Sequence, residues 1–166
     1  MVEQNYDVSL SIPFYDQTDA STWDGVPETE AAIASFIKSG CALCALASYK
    51  DMTIVEVYEA GACTKTSPYV KSWLGTVKKT TGNYLSYITD RVLNSEKSTI
   101  VHVPGGTGHF VTVSGFSGIL AIDGRGNPSC GQATANMILI NDPYEGRCST
   151  IEDLISEYGG IDYIRQ

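Results

Sequence analysis

Cys41 follows Ser39-Gly40 directly and opens the run CALCALASY, residues 41–49. The run is almost entirely small and apolar, which predicts a buried central helix with a thiol in its first turn. At that position the unpaired backbone N–H groups and the positive end of the helix dipole favour the thiolate, the nucleophilic form of cysteine. Gly40 suits a tight entry turn and leaves room for a substrate carbonyl against the backbone. Free cysteine is also among the most buried residue types, so a core role for Cys41 and Cys44 stands beside the catalytic one.

Other chemistries for Cys-Ala-Leu-Cys are weaker. A redox pair needs a strand feeding the helix, and the approach ASFIKSG reads as helical. A zinc site needs two further ligands, yet the chain has two histidines and no second C-x-x-C. Neither the acids Asp16, Asp19 and Asp24 nor DGRGNP has calcium-loop spacing, and PGGTG lacks the Gly-Lys-Ser/Thr of a phosphate loop. No metal and no cofactor are expected.

Three further residues have the chemistry to assist a thiol. His109 opens HFVTVSG behind the Gly-rich PGGTG, at the start of a strand and at the rim of any cleft there. Asp142 ends the apolar run NMILIND and precedes Pro143; it reads as a turn initiator, or as the acid that fixes an imidazole's tautomer. Strand alternation sends Asn141 and Asp142 to opposite faces, so only one of them can meet His109. Gln17, in PFYDQTD, is a surface amide or a donor to a developing oxyanion.

The elements that must position these residues follow from pattern. Residues 9–19 read as a short edge strand running into a loop. Residues 28–40 read as a helix ending at Gly40. A Thr53/Glu56 capping box starts another helix near 54, and Ser67-Pro68 opens a helix through YVKSWLGTVKK. Helical spacing covers 84–95. Beyond that point β-branched runs at 98–103, 109–116 and 136–142 predict strands separated by Gly-rich loops. A last helix, with a Ser149/Glu152 capping box, stops at Gly159-Gly160, and IDYIR closes as a strand. Helices first and strands second give an α+β fold with an antiparallel sheet. The chain reads as a single domain over 1–166, with a helical lobe at about 20–95 and a sheet lobe at about 98–166 that includes the N-terminal strand.

Composition narrows the partners. The 166 residues are 43% hydrophobic and 18% charged, with a net charge of −8. Nucleic acid and anionic membrane surfaces repel such a chain, so neither is an expected partner. No apolar run is long enough for membrane insertion, and residues 1–12 lack the features of a signal peptide. The compartment stays open, with cell-wall or phage-associated action compatible. Five cysteines leave at least one thiol unpaired if the others pair within the chain; Cys130 and Cys148 flank the Asp142 strand and are the candidates for a bridge.

Taken in order, IPFYDQTD, SGCALCALAS, GTGHFVTVSGF and LINDPYEG resemble the papain-fold cysteine peptidases of the type related to bacteriocin double-glycine leader peptidases. The resemblance spans residues 12–146. It implies a papain-like fold in which the nucleophile helix packs on the sheet. It also implies that Cys41 is the nucleophile, His109 the general base and acid, Asp142 its orienting acid and Gln17 the oxyanion donor. The implied activity is hydrolysis of peptide or amide bonds through a thioester, on a small-residue peptide site or on peptidoglycan peptides. A catalytically silent peptide-binding module and an acyl or peptidyl transferase are the alternatives. The implied state is a monomer, or one domain of a larger chain. Two departures stand out. Ala42-Leu43-Cys44 replaces the Gly-Pro-Thr-like triplet that commonly follows the nucleophile, and the link at 119–136 is longer than usual, either shaping the cleft or forming a surface excursion.

Overall fold

The small apolar run at Cys41 forms helix α2 (Cys41–Lys50), in which Leu43, Cys44, Ala45, Leu46, Ala47 and Ser48 are all buried. A computed structural model of the chain describes residues 1–26 and 30–166. Helix α1 (Glu30–Ser39) precedes α2; the expected start at Glu28 lies outside the described residues. The two helices bend by 71° at Gly40. An added Cβ on Gly40 would overlap the Phe36 carbonyl and the Trp23 indole, while its φ of −86° is open to any residue. Crowding from the core by itself demands this glycine.

Helix α3 (Ile54–Glu59) carries the predicted capping box: Glu56 N–H donates to Thr53 Oγ1, and Thr53 N–H to the Glu56 carboxylate. The helix expected after Pro68 does not form. Leu74 and Gly75 both adopt left-handed φ, 51° and 83°, which no helix accommodates in succession. Val70, Trp73 and Leu74 instead pack against the helical core from an irregular segment, and Lys71 N–H bonds the Ala62 carbonyl. The apolar spacing there records packing, not helical period. A two-residue strand β2 (Lys78–Lys79) leads to helix α4 (Tyr84–Ser95), capped by Asn83.

The remaining elements build a six-stranded antiparallel sheet. Its strands are β1 (Glu3–Ser9), β2, β3 (Ile100–Val103), β4 (His109–Ala121), β5 (Ile138–Asn141) and β6 (Tyr163–Arg165). Strand β4 is the spine: residues 109–112 pair with β3, 112–116 with β5 and 115–121 with β1. Strand β1 ends where an edge strand was expected to begin. Tyr6 and Val8 lean on the sheet core, and regular pairing stops at Ser9, ahead of the Pro13 loop. Helix α5 (Ile151–Tyr158) is capped by Thr150 with Asp153, one residue later than the Ser149/Glu152 pair that the sequence suggested.

Two hydrophobic clusters result. Trp23, Phe36, Leu43, Leu46 and Val57 fill the helical side, and Val101, Val111, Phe116, Ile138 and Leu154 fill the sheet side with α4 and α5. Thr112 of β4 donates its hydroxyl to the Ala45 carbonyl at 3.0 Å and so ties α2 to the sheet. The architecture is α+β. Residues 119–136 extend β4, turn at Asp123 and return through two short 3-10 turns, none of them bordering the groove described below. Cys130 and Cys148 are free thiols and do not form the bridge considered from their placement.

Candidate active site

Strand register brings His109 and Asp142 together. Thr112 pairs with Asn141, so continuing the ladder by one residue sets Asp142 opposite Val111. Val111 and His109 alternate onto one face, and Asp142 shares it. His109 Nε2 lies 2.7 Å from Asp142 Oδ1, with the imidazole 5% and the carboxylate 0% exposed. Asn141 points the other way and reaches the Pro13 carbonyl.

Asp142 is held on every side. Oδ1 also accepts the Tyr144 N–H, and Oδ2 accepts the Cys148 N–H, both at 3.0 Å. Burial alone would raise its pKa; the bonds from His109, Tyr144 and Cys148 outweigh that and hold it below the usual carboxylate value. A carboxylate only accepts, so Nε2 of His109 carries the proton and the ring nitrogen left for Cys41 is Nδ1. Cys41 lines the same groove as His109. Burial opposes the imidazolium, but Asp142 first and Cys41 second reverse the balance and raise the His109 pKa to about 9.

Tyr158 completes the pair, and nothing in the sequence pointed to it. As the last residue of α5, it stacks on the His109 ring with centroids 4.7 Å apart and planes at 23°. Its carbonyl accepts the Gly105 N–H at 2.8 Å, which anchors the Gly105–Gly108 loop beside the imidazole. An aromatic residue ahead of Gly159-Gly160 reads only as the end of a helix until the chain is folded.

Gln17 is 2% exposed, not a surface amide. Its backbone N–H donates to the Pro143 carbonyl at 2.8 Å, and its carbonyl accepts the Trp23 indole N–H at 2.9 Å. The side-chain Nε2 donates to the Ile37 carbonyl at 3.1 Å and more weakly to Lys38 at 3.4 Å, while buried Oε1 has no partner among the described residues. Turning the amide over would press its oxygen against two carbonyls, so the nitrogen is fixed toward α1. The loop that carries Gln17 is thereby tied to both the Asp142 turn and the end of α1.

These side chains border one groove of about 330 Å³, lined by Gln17, Cys41, Gly106, His109, Tyr144 and Tyr158 among others. Two larger clefts lie elsewhere; one borders Lys97 and Arg91, the other α4 and Cys130. Neither contains a histidine. Burial, foremost, pushes the other thiols up: Cys63 to about 11, Cys148 to about 12, and Cys44 and Cys130 also upward. The arrangement is an accessible thiol, an imidazole with a carboxylate behind it, and a buried amide bonded to the end of α1. No family model, curated protein or solved structure matches the chain.

Proposed function

We propose that this protein is a papain-like cysteine peptidase or amidase that cleaves peptide or amide bonds through a thioester. One observation carries the reading. His109, fixed by Asp142 at 2.7 Å, shares one open groove with Cys41, the first residue of a buried helix. No side chain caps the first turn of α2, which leaves its N-terminal N–H groups for a ligand.

In this mechanism Cys41 Sγ attacks the carbonyl carbon and forms a C–S bond. The carbonyl oxygen takes up the negative charge between the Cys41 N–H and Gln17 Nε2, whose weak contact to Lys38 is the one that an oxyanion displaces. His109 Nδ1–H then protonates the leaving amine as the C–N bond breaks. A water molecule gives its proton to the same nitrogen, attacks the thioester and releases the acid with the thiolate restored. The wall Gly105-Gly106-Thr107-Gly108 brings backbone, not bulky side chains, to the nucleophile. That suits small residues beside the cut, whether in a peptide or in a peptidoglycan stem or cross-bridge.

The test is digestion of purified peptidoglycan and of a peptide library by wild type and by Cys41→Ala, read by mass spectrometry. Products are expected from the wild type alone. Equal products from both proteins would end the assignment.

A further inference from the structure

Helix α2 covers only part of one sheet face, and the half-buried part beyond it is chemically unlike the rest of the molecule. Thr112 and Ile100 are opposite one another in the ladder and lie beneath α2. Two residues further along the strands, on the same face and past the Cys41 end of α2, come Phe110, His102 and Tyr163, each directly opposite the next. The His102 ring stacks on Tyr163 at 4.4 Å and tilts against Phe110 at 4.5 Å, and Trp73 lies 5.2 Å from Phe110. Lys78 Nζ sits 4.1 Å above the Tyr163 ring, and the Arg165 guanidinium 4.2 Å from Trp73. Phe110 also lines the groove, so the ladder adjoins it through that ring.

Charge sets this region apart. From residue 60 to residue 89 the chain has four lysines and no Asp or Glu, in a protein whose net charge is −8. Among the described residues no carboxylate lies within 4 Å of Lys78 or Arg165, and the nearest acid in the ladder, Asp162, is bound to His102 Nδ1 at 2.7 Å. Among the described residues the groove is lined by Lys38 and by no Asp or Glu. Two cations set on aromatic rings beside such a lining give a surface complementary to an anion.

We propose that the Phe110–His102–Tyr163 ladder, with Trp73, Lys78 and Arg165, is a subsite that binds a carboxylate of the peptide substrate next to the scissile bond. It rests on the peptidase reading and names the substrate class, a peptide with an acidic residue or a free chain end held there. The rings take the aliphatic part of that residue, and Lys78 and Arg165 take the charge.

The experiment uses immobilised Cys41→Ala protein, so that binding is read without turnover. Randomised octapeptides with a fixed Glu, Gln or Lys are captured, each set with a free and with an amidated C-terminus. About tenfold enrichment of Glu over Gln is expected, lost in 0.5 M salt, from about two charge-assisted contacts. Glu enrichment in amidated peptides assigns the site to a side chain; enrichment that needs the free terminus assigns it to the chain end. Lys78→Glu, on the exposed side, should reverse the preference toward Lys with an unchanged far-UV circular dichroism spectrum. Equal capture of Glu and Gln sets, or no capture of any, overturns the subsite. If acidic peptides are captured yet wild type cleaves nothing, the subsite stands and the peptidase reading falls.

Discussion

His109 and Asp142 meet through 2.7 Å, and the carboxylate simultaneously takes the backbone N–H groups of Tyr144 and Cys148. An amide cannot replace it. With asparagine at 142, an oxygen facing His109 and Tyr144 leaves an NH2 against the Cys148 N–H, and the opposite orientation sets donor against donor at the imidazole. Asp142→Asn is therefore expected to lower kcat/KM by about 10–100-fold, the cost of one misplaced buried partner at ~1.5–3 kcal/mol. Asn141→Ala, which loses only a 3.4 Å bond to Pro13, should stay within about threefold of wild type. Equal losses in the two variants would show that Asp142 is not the orienting acid.

The His109 pKa of about 9 has a signed consequence. Protonated imidazole is favoured in the folded protein relative to its ordinary 6.5, so its stabilising contribution is complete below about pH 6.5 and is lost as pH rises through about 9. Asp142 works in the opposite sense: its contribution is complete above its ordinary 3.8 and is lost as pH falls through its lower folded value. In the proposed mechanism the protonated imidazole also supplies the leaving-group proton, so kcat/KM should decline above about pH 9. Part of the upward shift comes from Cys41, and in Cys41→Ala the imidazole proton resonances should titrate below 9. An unchanged midpoint would mean that sulfur and ring do not interact.

Tyr158 shields the imidazole–carboxylate pair from one side at 4.7 Å. Ring stacking of this kind contributes about 0.5–1.5 kcal/mol beyond area burial. Tyr158→Ala should reduce kcat about 3–10-fold with little change in KM, and Tyr158→Phe should restore it, because the ring and not the hydroxyl does the positioning. A Phe variant as slow as the Ala variant would point to the hydroxyl instead.

Local signals wrote much of this fold into the chain. The Thr53 box, the apolar run at 41–49 and the β-branched strands each encode their element in adjacent residues, and strand parity alone separated Asp142 from Asn141. Signals that depend on distant partners were not legible. The segment at 67–77 has helical spacing because Val70, Trp73 and Leu74 face one core, yet Leu74 and Gly75 turn left-handed. Strand β1 has little apolar content of its own and is specified by the ladder offered by residues 115–121 of β4. Gln17 reads as either a surface amide or an oxyanion donor, and its burial is not legible because its partners, Ile37, Trp23 and Pro143, are brought to it only by folding. Tyr158 touches His109 across 49 residues of chain, and the cationic ladder joins Lys78 to Arg165 across 87, separations over which no local pattern operates.

Gly40 tests the packing beneath Cys41. Trp23 and the Phe36 carbonyl already occupy the space that a Cβ would need, and Trp23 and Phe36 are themselves stacked edge to face at 5.1 Å. Gly40→Ala should cost about 1–3 kcal/mol through overpacking, visible as a lower Tm and a changed Trp23 fluorescence maximum. Because Trp23 also holds the Gln17 carbonyl at 2.9 Å, the displaced indole should move the Gln17 amide, the proposed oxyanion donor, as well as the first turn of α2. Activity should therefore fall further than stability: at a temperature where the variant is fully folded, kcat should still be down about tenfold, the same direction as, and less than, the roughly 10²-fold loss expected for Gln17→Ala. A folded Gly40→Ala protein with wild-type kcat would separate the Trp23 contact from the chemistry of Cys41.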